Sequence, residues 1–357
     1  MHAARLLPSP AEGSVAAERV RRLVLDRHPG ADDVADCFRM EEAPLVAPME
    51  GEVLLRNLWL SIDICARGRM DPDPPDGDRI AIGEAMPCAT VARVEASRHP
   101  AFRAGDVVLA HSGWQTHACV HGSQLKRKLH ASVAPVTNAL GVYGLYGFIA
   151  YSAITETCRP QPGETMVVAA ATGPIGATAG QLAKAAGARV VGVTSGTDKC
   201  RHATGRLGFD VAVDRLSPEF ADALRAACPD GVDIFLESVH GESVDTVLPL
   251  LNPFARMPLC GVMEGSAWPA AAADRLPAFL NAILLQRLEV RSFTLRDLAR
   301  LHPQFLVDPA FLSDIGRRLR EGSLRYDEDV VDGLEQAPAA LARLVRGDNF
   351  GKLLVRL

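Results

Sequence analysis

From residue 166 to about residue 293, short runs of apolar and β-branched residues alternate with longer stretches of helix-forming residues. This alternation predicts parallel strands joined by crossover helices, because such strands are buried on both faces and the helices cover them. The runs predicted as strands are 166–168, 189–193, 211–213, 232–236, 257–260 and 288–293. The sequence therefore predicts an α/β fold with a doubly wound parallel sheet.

Residues 22–140 have a different pattern, in which shorter runs alternate apolar and polar positions. The clearest run is GEVLLRNLWLSI at 51–62, and turns rich in proline and glycine follow it. Short strands at this spacing predict a small, barrel-like β domain. The helix-like run 140–158 would link this domain to the parallel sheet. The tail, from about residue 321, carries two more strand-like runs, which we expect to return to the first domain.

The first crossover of the predicted parallel sheet contains a glycine-rich turn. It reads Ala170-x-x-Gly173-x-x-Gly176, with Pro174 and Ile175 between the two glycines. In a strand–turn–helix unit, glycines let the backbone approach a pyrophosphate, whose charge then lies on the N–H groups of the helix start. We interpret the turn as a dinucleotide site. An α/β turn that binds no cofactor is the alternative.

The end of the second parallel strand distinguishes between the two nicotinamide dinucleotides. Proteins that bind NAD usually carry an acidic residue here, which binds the ribose 2′-hydroxyl. In this chain the strand ends in Thr194, Ser195 and Gly196, and Lys199 follows. Because a 2′-phosphate requires a cation and hydrogen-bond donors, the sequence favours NADP(H) over NAD(H). The alternative for Lys199 is a solvated lysine on a helix face.

Composition limits the other possibilities. The chain has 357 residues, enough for two domains, and a formal net charge of −5. We therefore expect neither a nucleic-acid partner nor a membrane surface, and no apolar run approaches the length of a membrane span. The first residues lack a hydrophobic signal core, so we expect a cytoplasmic protein. The eight cysteines contain no CxxC pair, and we expect them to form neither disulfides nor a zinc site.

Several motifs, read in chain order, resemble those of one protein family. They include GEVLLRNLWLSID, RGRM, AATGPIGATAGQLAK, LGFD, CPDGVDIFLESV and RGDNFGKLLVRL. The chain resembles the zinc-independent branch of the medium-chain dehydrogenase/reductase superfamily. Within that branch it is most similar to the prostaglandin/leukotriene and curcumin reductases, which are NADPH-dependent alkenal/one oxidoreductases. The resemblance covers nearly the whole chain after about residue 22.

This resemblance implies a domain organisation. An N-terminal extension at 1–20 would precede a GroES-like substrate domain at 21–140, which the tail at 316–357 would complete. A Rossmann domain at 141–315 would bind NADP(H), and two copies of the chain would associate through it as a homodimer. The expected partner is a small-molecule substrate.

The resemblance also implies cofactor contacts. Residues 173–176 would hold the pyrophosphate, the end of the second strand would hold the 2′-phosphate, and Asn349 would reach the cofactor from the returning tail. An ordinary turn residue is the alternative for Asn349. The residues expected to contact NADP(H) are Gly173, Pro174, Ile175, Gly176, Thr194, Ser195, Gly196, Lys199, Arg215, Ser238, Cys260, Gly261 and Asn349.

The chain departs from the family pattern where the chemistry is expected. Conjugate reduction needs a hydrogen-bond donor for the enolate oxygen that develops. The family usually supplies a tyrosine after the fifth strand, but 261–266 contains none. Two other tyrosines, Tyr143 and Tyr146, lie in a segment that lines the nicotinamide side in the family. Both are candidate catalytic residues of a rebuilt pocket, and aromatic packing at the domain interface is the alternative.

Two substitutions near the cofactor also depart from the family pattern. Ser238 stands where the family has an asparagine, and Arg215 stands where it has a tyrosine at the 2′-phosphate. The charge of Arg215 could serve that phosphate.

The sequence thus leads to one main functional hypothesis and two alternatives. The main hypothesis is a zinc-independent, NADPH-dependent reductase of the C=C bond of an α,β-unsaturated carbonyl compound. A repurposed enzyme of the same fold, which catalyses a cyclisation or another step without net redox change, is the first alternative. A non-catalytic NADPH-binding protein is the second.

Overall fold

The computed structural model describes residues 19–30, 33–74, 79–131, 134–239, 242–260, 276–292 and 304–357. The strands are β1 (Arg19–Leu25), β2 (Phe38–Pro44), β3 (Glu52–Ser61), β4 (Thr90–Ser97), β5 (Val107–Ala110), β6 (His117–His121), β7 (Arg127–Leu129), β8 (Thr165–Val168), β9 (Arg189–Thr194), β10 (Val211–Asp214), β11 (Val232–Leu236), β12 (Leu251–Leu259), β13 (Glu289–Ser292), β14 (Glu328–Asp332) and β15 (Lys352–Arg356). The helices are α1 (Cys65–Arg69), α2 (Leu145–Ser152), α3 (Pro174–Ala185), α4 (Thr197–Gly205), α5 (Phe220–Ala227), α6 (Glu242–Val247), α7 (Leu276–Gln286), α8 (Pro309–Glu321) and α9 (Ala337–Arg346).

A six-stranded sheet forms the centre of the second domain. Its strand order is β10-β9-β8-β11-β12-β13, and every described pairing in it is parallel. Alternate residues of β8 point to opposite faces, so that Met166 and Val168 enter one hydrophobic core and Val167 enters another. Both faces are covered, which explains why the strands are apolar at nearly every position. The prediction of a doubly wound parallel sheet is confirmed.

Strand β12 is the one strand whose predicted start was clearly wrong. The sequence indicated a strand from residue 257, whereas β12 begins at Leu251. Proline and asparagine read as turn signals, and Asn252 and Pro253 stand at the second and third positions of the strand. The pairing of β11 with β12 shifts register between Val232 and Ile234, and this irregularity accommodates Pro253.

The first domain is a β domain, as predicted, and its described pairings are antiparallel except that of β14 with β15, which is parallel. Its seven-stranded sheet has the order β14-β15-β3-β4-β5-β7, and β6 also pairs with β3. Strands β1 and β2 form a separate antiparallel pair. Strand β1 begins at Arg19, two residues before the predicted start of the domain. This sheet and the parallel sheet together give the GroES-like and Rossmann architecture that the sequence indicated.

The tail returns to the first domain, as expected from its strand-like runs. Strand β15 pairs antiparallel with β3, and Leu354 lies opposite Ser61. The predicted boundary at residue 316 falls inside α8, whose Phe311 and Ile315 are buried in the core of the parallel-sheet domain. Helix α8 therefore packs on the second domain, and the chain crosses to the first domain only after it. None of the helices in the described ranges is long and apolar enough to cross a membrane.

A buried ion pair fastens the tail to the first domain. Lys352 opens β15 and is 1% exposed. Its ammonium group donates to Asp63 Oδ1 at 2.9 Å and to the carbonyl oxygen of Ile62 at 2.6 Å. Removing both charges from water costs free energy, and only close pairing with further hydrogen bonds compensates for that cost. Burial raises the pKa of Asp63, but Lys352 and the hydrogen bonds to the carboxylate outweigh it and hold that pKa below its ordinary value.

Lys352→Met should destabilise the protein by about 3–5 kcal/mol, because it leaves the Asp63 carboxylate buried without its counter-ion. Urea unfolding measures this change. Lys352 holds the pKa of Asp63 low only in the wild type. The difference in free energy of unfolding between the wild type and the variant should therefore shrink as the pH falls and the carboxyl becomes protonated in both proteins. The double variant Asp63→Asn/Lys352→Met should recover part of the loss. Lys184→Met, at an exposed ion pair with Asp210, should cost about 1 kcal/mol or less. An equal loss in both lysine variants would contradict the buried-pair interpretation.

Candidate cofactor and substrate site

The predicted cofactor residues come together at the carboxyl ends of the parallel strands. The glycine-rich turn follows β8, and the segment that contains Ser195 follows β9. Arg215 follows β10 directly, Ser238 lies two residues after β11, and Cys260 follows β12 directly. In sheets of this kind, ligands bind in the crevice outside the carboxyl ends of the strands, where the strand order reverses between β8 and β11. The structure therefore brings five separate predicted segments to one edge.

The glycine-rich turn is closed so tightly that Gly176 has no room for a side chain. A Cβ atom there would lie 2.5 Å from the carbonyl oxygen of Ala170 and 3.0 Å from that of Ala169. Ala170 itself has φ of 48°, a left-handed conformation that costs a non-glycine residue free energy. Alanine thus stands at the position of the missing first glycine, and the backbone there still adopts the conformation that glycine would favour.

Helix α3 begins directly at this turn. Gly173 is its N-cap residue, Pro174 is its first residue, and neither supplies a side chain that caps the helix. The first N–H groups of α3 are therefore available to an anion, and the helix dipole favours negative charge there. Ile175 packs against the core of the domain and anchors the start of the helix. The turn and the helix start fit a pyrophosphate.

The segment after β9 forms a polar corner. Thr194 is buried at the strand end, and its carbonyl oxygen accepts from the N–H group of Arg215 at 2.8 Å. The N–H group of Gly196, which has φ of 83°, donates to Asp214 Oδ1 at 2.7 Å. Ser195 lies beside the tail, because a Cβ at Gly347 would be 3.8 Å from its hydroxyl oxygen. Hydroxyl, backbone and cationic groups thus converge at the predicted 2′-phosphate position.

Lys199 is not the solvated helix lysine of the alternative interpretation. Its Nζ donates to the carbonyl oxygen of Gly347 in the returning tail and lies 5.6 Å from the centre of the Phe350 ring. Burial lowers the pKa of Lys199; Asp348 opposes this shift, and Arg215 adds to it. Arg215 and Lys199 therefore act on each other as like charges, and an anion bound between them would relieve their repulsion.

Sequence reasoning missed two residues of this corner. Asp214, the last residue of β10, holds the turn through the N–H groups of Gly196 and Leu216. The sequence pattern for NAD binding concerns an acidic residue at the end of β9. Asp214 stands instead at the end of β10, the parallel strand that pairs with β9. Phe350 packs against Lys199 and the ring of His202, at 5.4 Å between ring centres. Phe350 directly follows Asn349 in the motif RGDNFGKLLVRL, and this position is the sequence signal that could have identified it.

The tail also contacts the phosphate turn directly. The N–H group of Gly351 donates to the carbonyl oxygen of Thr172 at 2.9 Å. Asn349 is buried, and its side-chain amide donates to the carbonyl oxygen of Gly351 at 2.9 Å. Asn349 thus shapes the turn that touches the dinucleotide loop, and its predicted contact with the cofactor stays a prediction.

The nicotinamide end is described only in part. Ser238 is buried next to the carboxyl end of β11, and the N–H group of Cys260 donates to the carbonyl oxygen of Glu237 at 3.0 Å. Ser238 and Cys260 therefore lie just beyond the carboxyl ends of the adjacent strands β11 and β12, and their predicted contact with the cofactor stays a prediction. Gly261 and the rest of the stretch 261–266 lie outside the described residues.

The structure separates the two candidate tyrosines. The Tyr146 hydroxyl donates to Asp63 Oδ1 at 2.5 Å, across the boundary between the domains. The Tyr143 hydroxyl points towards α8 instead, where a Cβ at Gly316 would lie 3.0 Å from it. Tyr143 also packs against the core of the parallel-sheet domain, as the packing interpretation expected. The two hydroxyls therefore do not converge on one point.

Tyr146 belongs to a small polar network with Asp63 at its centre. Asp63 Oδ1 accepts hydrogen bonds from Tyr146, from Lys352 and, at 2.6 Å, from the Ser61 hydroxyl. Lys352 Nζ also lies 4.8 Å from the centre of the Tyr146 ring. Burial, and then the charge of Asp63, raise the pKa of Tyr146 well above its ordinary value. The phenol is therefore protonated at neutral pH and available as a donor.

These features define a two-domain protein with a site for a phosphorylated dinucleotide between a Rossmann domain and a GroES-like domain. Comparisons with known families agree with this. The family described as "N-terminal domain of oxidoreductase" matches residues 21–127, and the family described as "Zinc-binding dehydrogenase" matches residues 174–305. Within the described part of the chain, no group of three or more His, Cys, Asp or Glu side chains could hold a metal ion.

Individual relatives specify the family further. The chain is 42% identical to the NADPH-dependent curcumin reductase of Escherichia coli (strain K12), over 95% of this chain and 97% of that protein. It is 32% identical to prostaglandin reductase 1 of Oryctolagus cuniculus, over 94% of this chain and 92% of that protein. The crystal structure of CurA from Vibrio vulnificus in complex with NADPH matches with a TM-score of 0.85 and 36% identity, over 94% of this chain and 98% of that one. The chain belongs to the zinc-independent branch of the medium-chain dehydrogenase/reductase superfamily.

Gly176→Ala should weaken NADPH binding by at least about tenfold, because the added Cβ would force the phosphate turn open and misalign its N–H groups. Isothermal titration calorimetry measures the affinity. Gly205→Ala is the matched control, since a Cβ there meets nothing within 4 Å. Equal affinity in the two variants would show that the turn does not hold the cofactor.

Proposed function

We propose that this protein is an NADPH-dependent reductase of the C=C bond of α,β-unsaturated carbonyl compounds. The observation that carries the proposal is the pair of cations, Lys199 and Arg215, at a polar corner beside the phosphate turn. Such a corner suits a 2′-phosphate. The names of the relatives agree, since they are a curcumin reductase that depends on NADPH and a prostaglandin reductase.

NADPH, when bound, would supply the hydride for the β-carbon of the substrate. Ser195, Lys199 and Arg215 would hold its 2′-phosphate, and the start of α3 would hold its pyrophosphate. The negative charge that develops on the substrate oxygen requires a donor on the protein side. A proton must also reach the α-carbon.

Among the two candidate tyrosines, we propose Tyr146 as the donor to the substrate oxygen. In the structure its hydroxyl donates to Asp63, so Tyr146 must exchange that acceptor for the substrate oxygen. The exchange removes only one of the three hydrogen bonds to Asp63 Oδ1, because Ser61 and Lys352 remain. The carboxylate therefore stays paired while Tyr146 donates elsewhere.

Turnover of a panel of enones and enals, followed by NADPH absorbance, tests the function and the assignment together. The wild type should reduce at least some of the panel, and product mass should increase by two hydrogen atoms. Tyr146→Phe should lower kcat about 100-fold with little change in KM, because it removes a donor to the transition state. Tyr143→Phe is the matched control and should keep nearly full kcat.

The other results have distinct meanings. A substrate that is consumed without a change in mass would favour an isomerisation or cyclisation on this fold. Tight NADPH binding with no turnover of any substrate would favour a non-catalytic role. Equal effects of the two tyrosine variants would contradict the assignment of Tyr146 but not the reductase function.

We also propose that the chain forms a homodimer through the parallel-sheet domain. Helix α7 exposes a row of leucines, each more than half accessible: Leu276, Leu280, Leu284 and Leu285. It packs on β12 and precedes β13 in the chain, and β13 ends the described order of the parallel sheet. An apolar helix face near the last described strand of the sheet fits a second copy of the same surface. We further propose a cytoplasmic location, which the eight free cysteines support.

Leu284→Glu should convert a dimer into monomers, because it places a charge in the proposed apolar contact. Size-exclusion chromatography with light scattering measures the mass. Leu216→Glu is the matched control: Leu216 is also exposed but follows β10, at the other end of the sheet. A wild type that is monomeric at micromolar concentration would contradict the proposal.

A further inference from the structure

Arg127, the first residue of β7, reaches from the first domain to the segments that precede α2 and α8. One terminal nitrogen of its guanidinium group donates to the carbonyl oxygen of Leu306 at 2.7 Å. The other terminal nitrogen donates to the carbonyl oxygen of Tyr143 at 3.2 Å. Arg127 belongs neither to the expected cofactor contacts nor to the hydrogen-bond network of Tyr146, so the proposed function gives it no role.

The guanidinium group of Arg127 is held by these two carbonyl groups and not by a carboxylate. Among the residues that the structure describes, no acidic side chain pairs with it, and its buried Nε atom has no hydrogen-bond partner. Burial lowers the pKa of Arg127 and Tyr143 opposes the shift, but the guanidinium stays charged. Charge-assisted hydrogen bonds are strong, and the planar fork of arginine holds two acceptors in a fixed geometry. Arg127 is therefore well suited to fix the positions of two backbone segments.

The segment that carries Leu306 also joins the two domains through its side chain. Leu306 lies in the short helical turn Phe305–Val307, just before α8. Its side chain packs against a hydrophobic cluster of the first domain, which contains Leu109 in β5 and Leu354 in β15. The carbonyl group and the side chain of Leu306 thus both meet the first domain. Arg127 consequently clamps a contact that apolar packing also supports.

The other carbonyl group belongs to the turn that places Tyr146. The N–H group of Tyr143 donates to the carbonyl oxygen of Asn138 at 2.8 Å. A Cβ atom at Gly144 would lie 2.2 Å from a backbone carbonyl oxygen, so the turn is too tight for any residue but glycine there. Helix α2 starts directly after this glycine, and Tyr146 is its second residue. Arg127 therefore holds a tight turn three residues before the candidate donor.

We propose that Arg127 is a positioning residue for Tyr146. By holding the carbonyl group of Tyr143 against the first domain, it keeps the Tyr146 hydroxyl in reach of Asp63 and of the substrate oxygen. This inference rests on the proposed reductase function and on Tyr146 as its donor. Arg127 itself does not touch the reacting atoms. Without it the start of α2 is free to shift relative to the first domain, and a displacement of about 1 Å can slow a reaction about 100-fold.

Arg127→Gln should lower kcat about tenfold with little change in KM, because a misaligned donor stabilises the transition state less. The same change should have almost no effect on the kcat of a Tyr146→Phe protein, since no hydroxyl is left to position. Arg127→Lys should recover part of the rate, because an ammonium group still holds one of the two carbonyl groups. Lys128→Gln is the matched control on the next residue, whose charge pairs with Asp106, and it should leave kcat unchanged.

A normal kcat in Arg127→Gln would overturn the inference, as would an equal loss with and without the Tyr146 hydroxyl. A loss of the same size in Lys128→Gln would also overturn it, because the effect would then be one of general electrostatics. If circular dichroism shows that Arg127→Gln does not fold, Arg127→Lys takes its place in the same comparison with and without the Tyr146 hydroxyl.

A second measurement does not depend on turnover. The chain has four tyrosines, so carbon-13 labelling of the phenol Cζ atoms gives four signals, which single phenylalanine substitutions assign. Arg127→Gln should move the Tyr146 signal as its hydrogen bond to Asp63 weakens, and Lys128→Gln should not. Such a shift in a protein that reduces no enone would support the positioning role while the reductase function fails. An unchanged Tyr146 signal would overturn the positioning role, whether or not the protein is a reductase.

Discussion

One buried carboxylate oxygen joins the parts of this protein. Asp63 Oδ1 accepts hydrogen bonds from Ser61 in its own domain, from Tyr146 in the linking helix and from Lys352 in the returning tail. A charge in this environment is costly unless it is paired, and Ser61 and Lys352 keep it paired even when Tyr146 donates elsewhere. The linking helix and the returning tail therefore meet the first domain at a single atom.

The tail, which Lys352 anchors to the first domain, also helps to complete the cofactor site. Gly351, the residue before it, bonds to the phosphate turn at Thr172, and Gly347 receives the ammonium group of Lys199. Residues more than 140 positions apart in the chain thus form one corner. The same ion pair that stabilises the first domain consequently fixes the position of groups around the expected 2′-phosphate. The same tail contacts therefore contribute both to the stability of the fold and to the shape of the cofactor site.

Local patterns predicted most of the fold. The alternation of apolar runs and helix formers gave the six parallel strands, because each strand buries both faces and each helix buries one. The start of β12 was missed, because Asn252 and Pro253 are turn residues by composition and only the register shift beside β11 admits them to a strand. Asp214 was missed for a related reason: strand order, rather than sequence distance, places it beside Gly196.

The sequence alone determined the doubly wound sheet, the tight turn at Gly176 and the presence of cations near the end of β9. These features depend on periodicity and on residues a few positions apart, which a linear pattern records. The tertiary structure alone decided that Tyr146, and not Tyr143, reaches Asp63, and that the ammonium group of Lys199 turns to Gly347. Two tyrosines three residues apart in one segment carry the same local signal. Only the packing of distant elements around them, α8 on one side and the first domain on the other, gives their hydroxyls different partners.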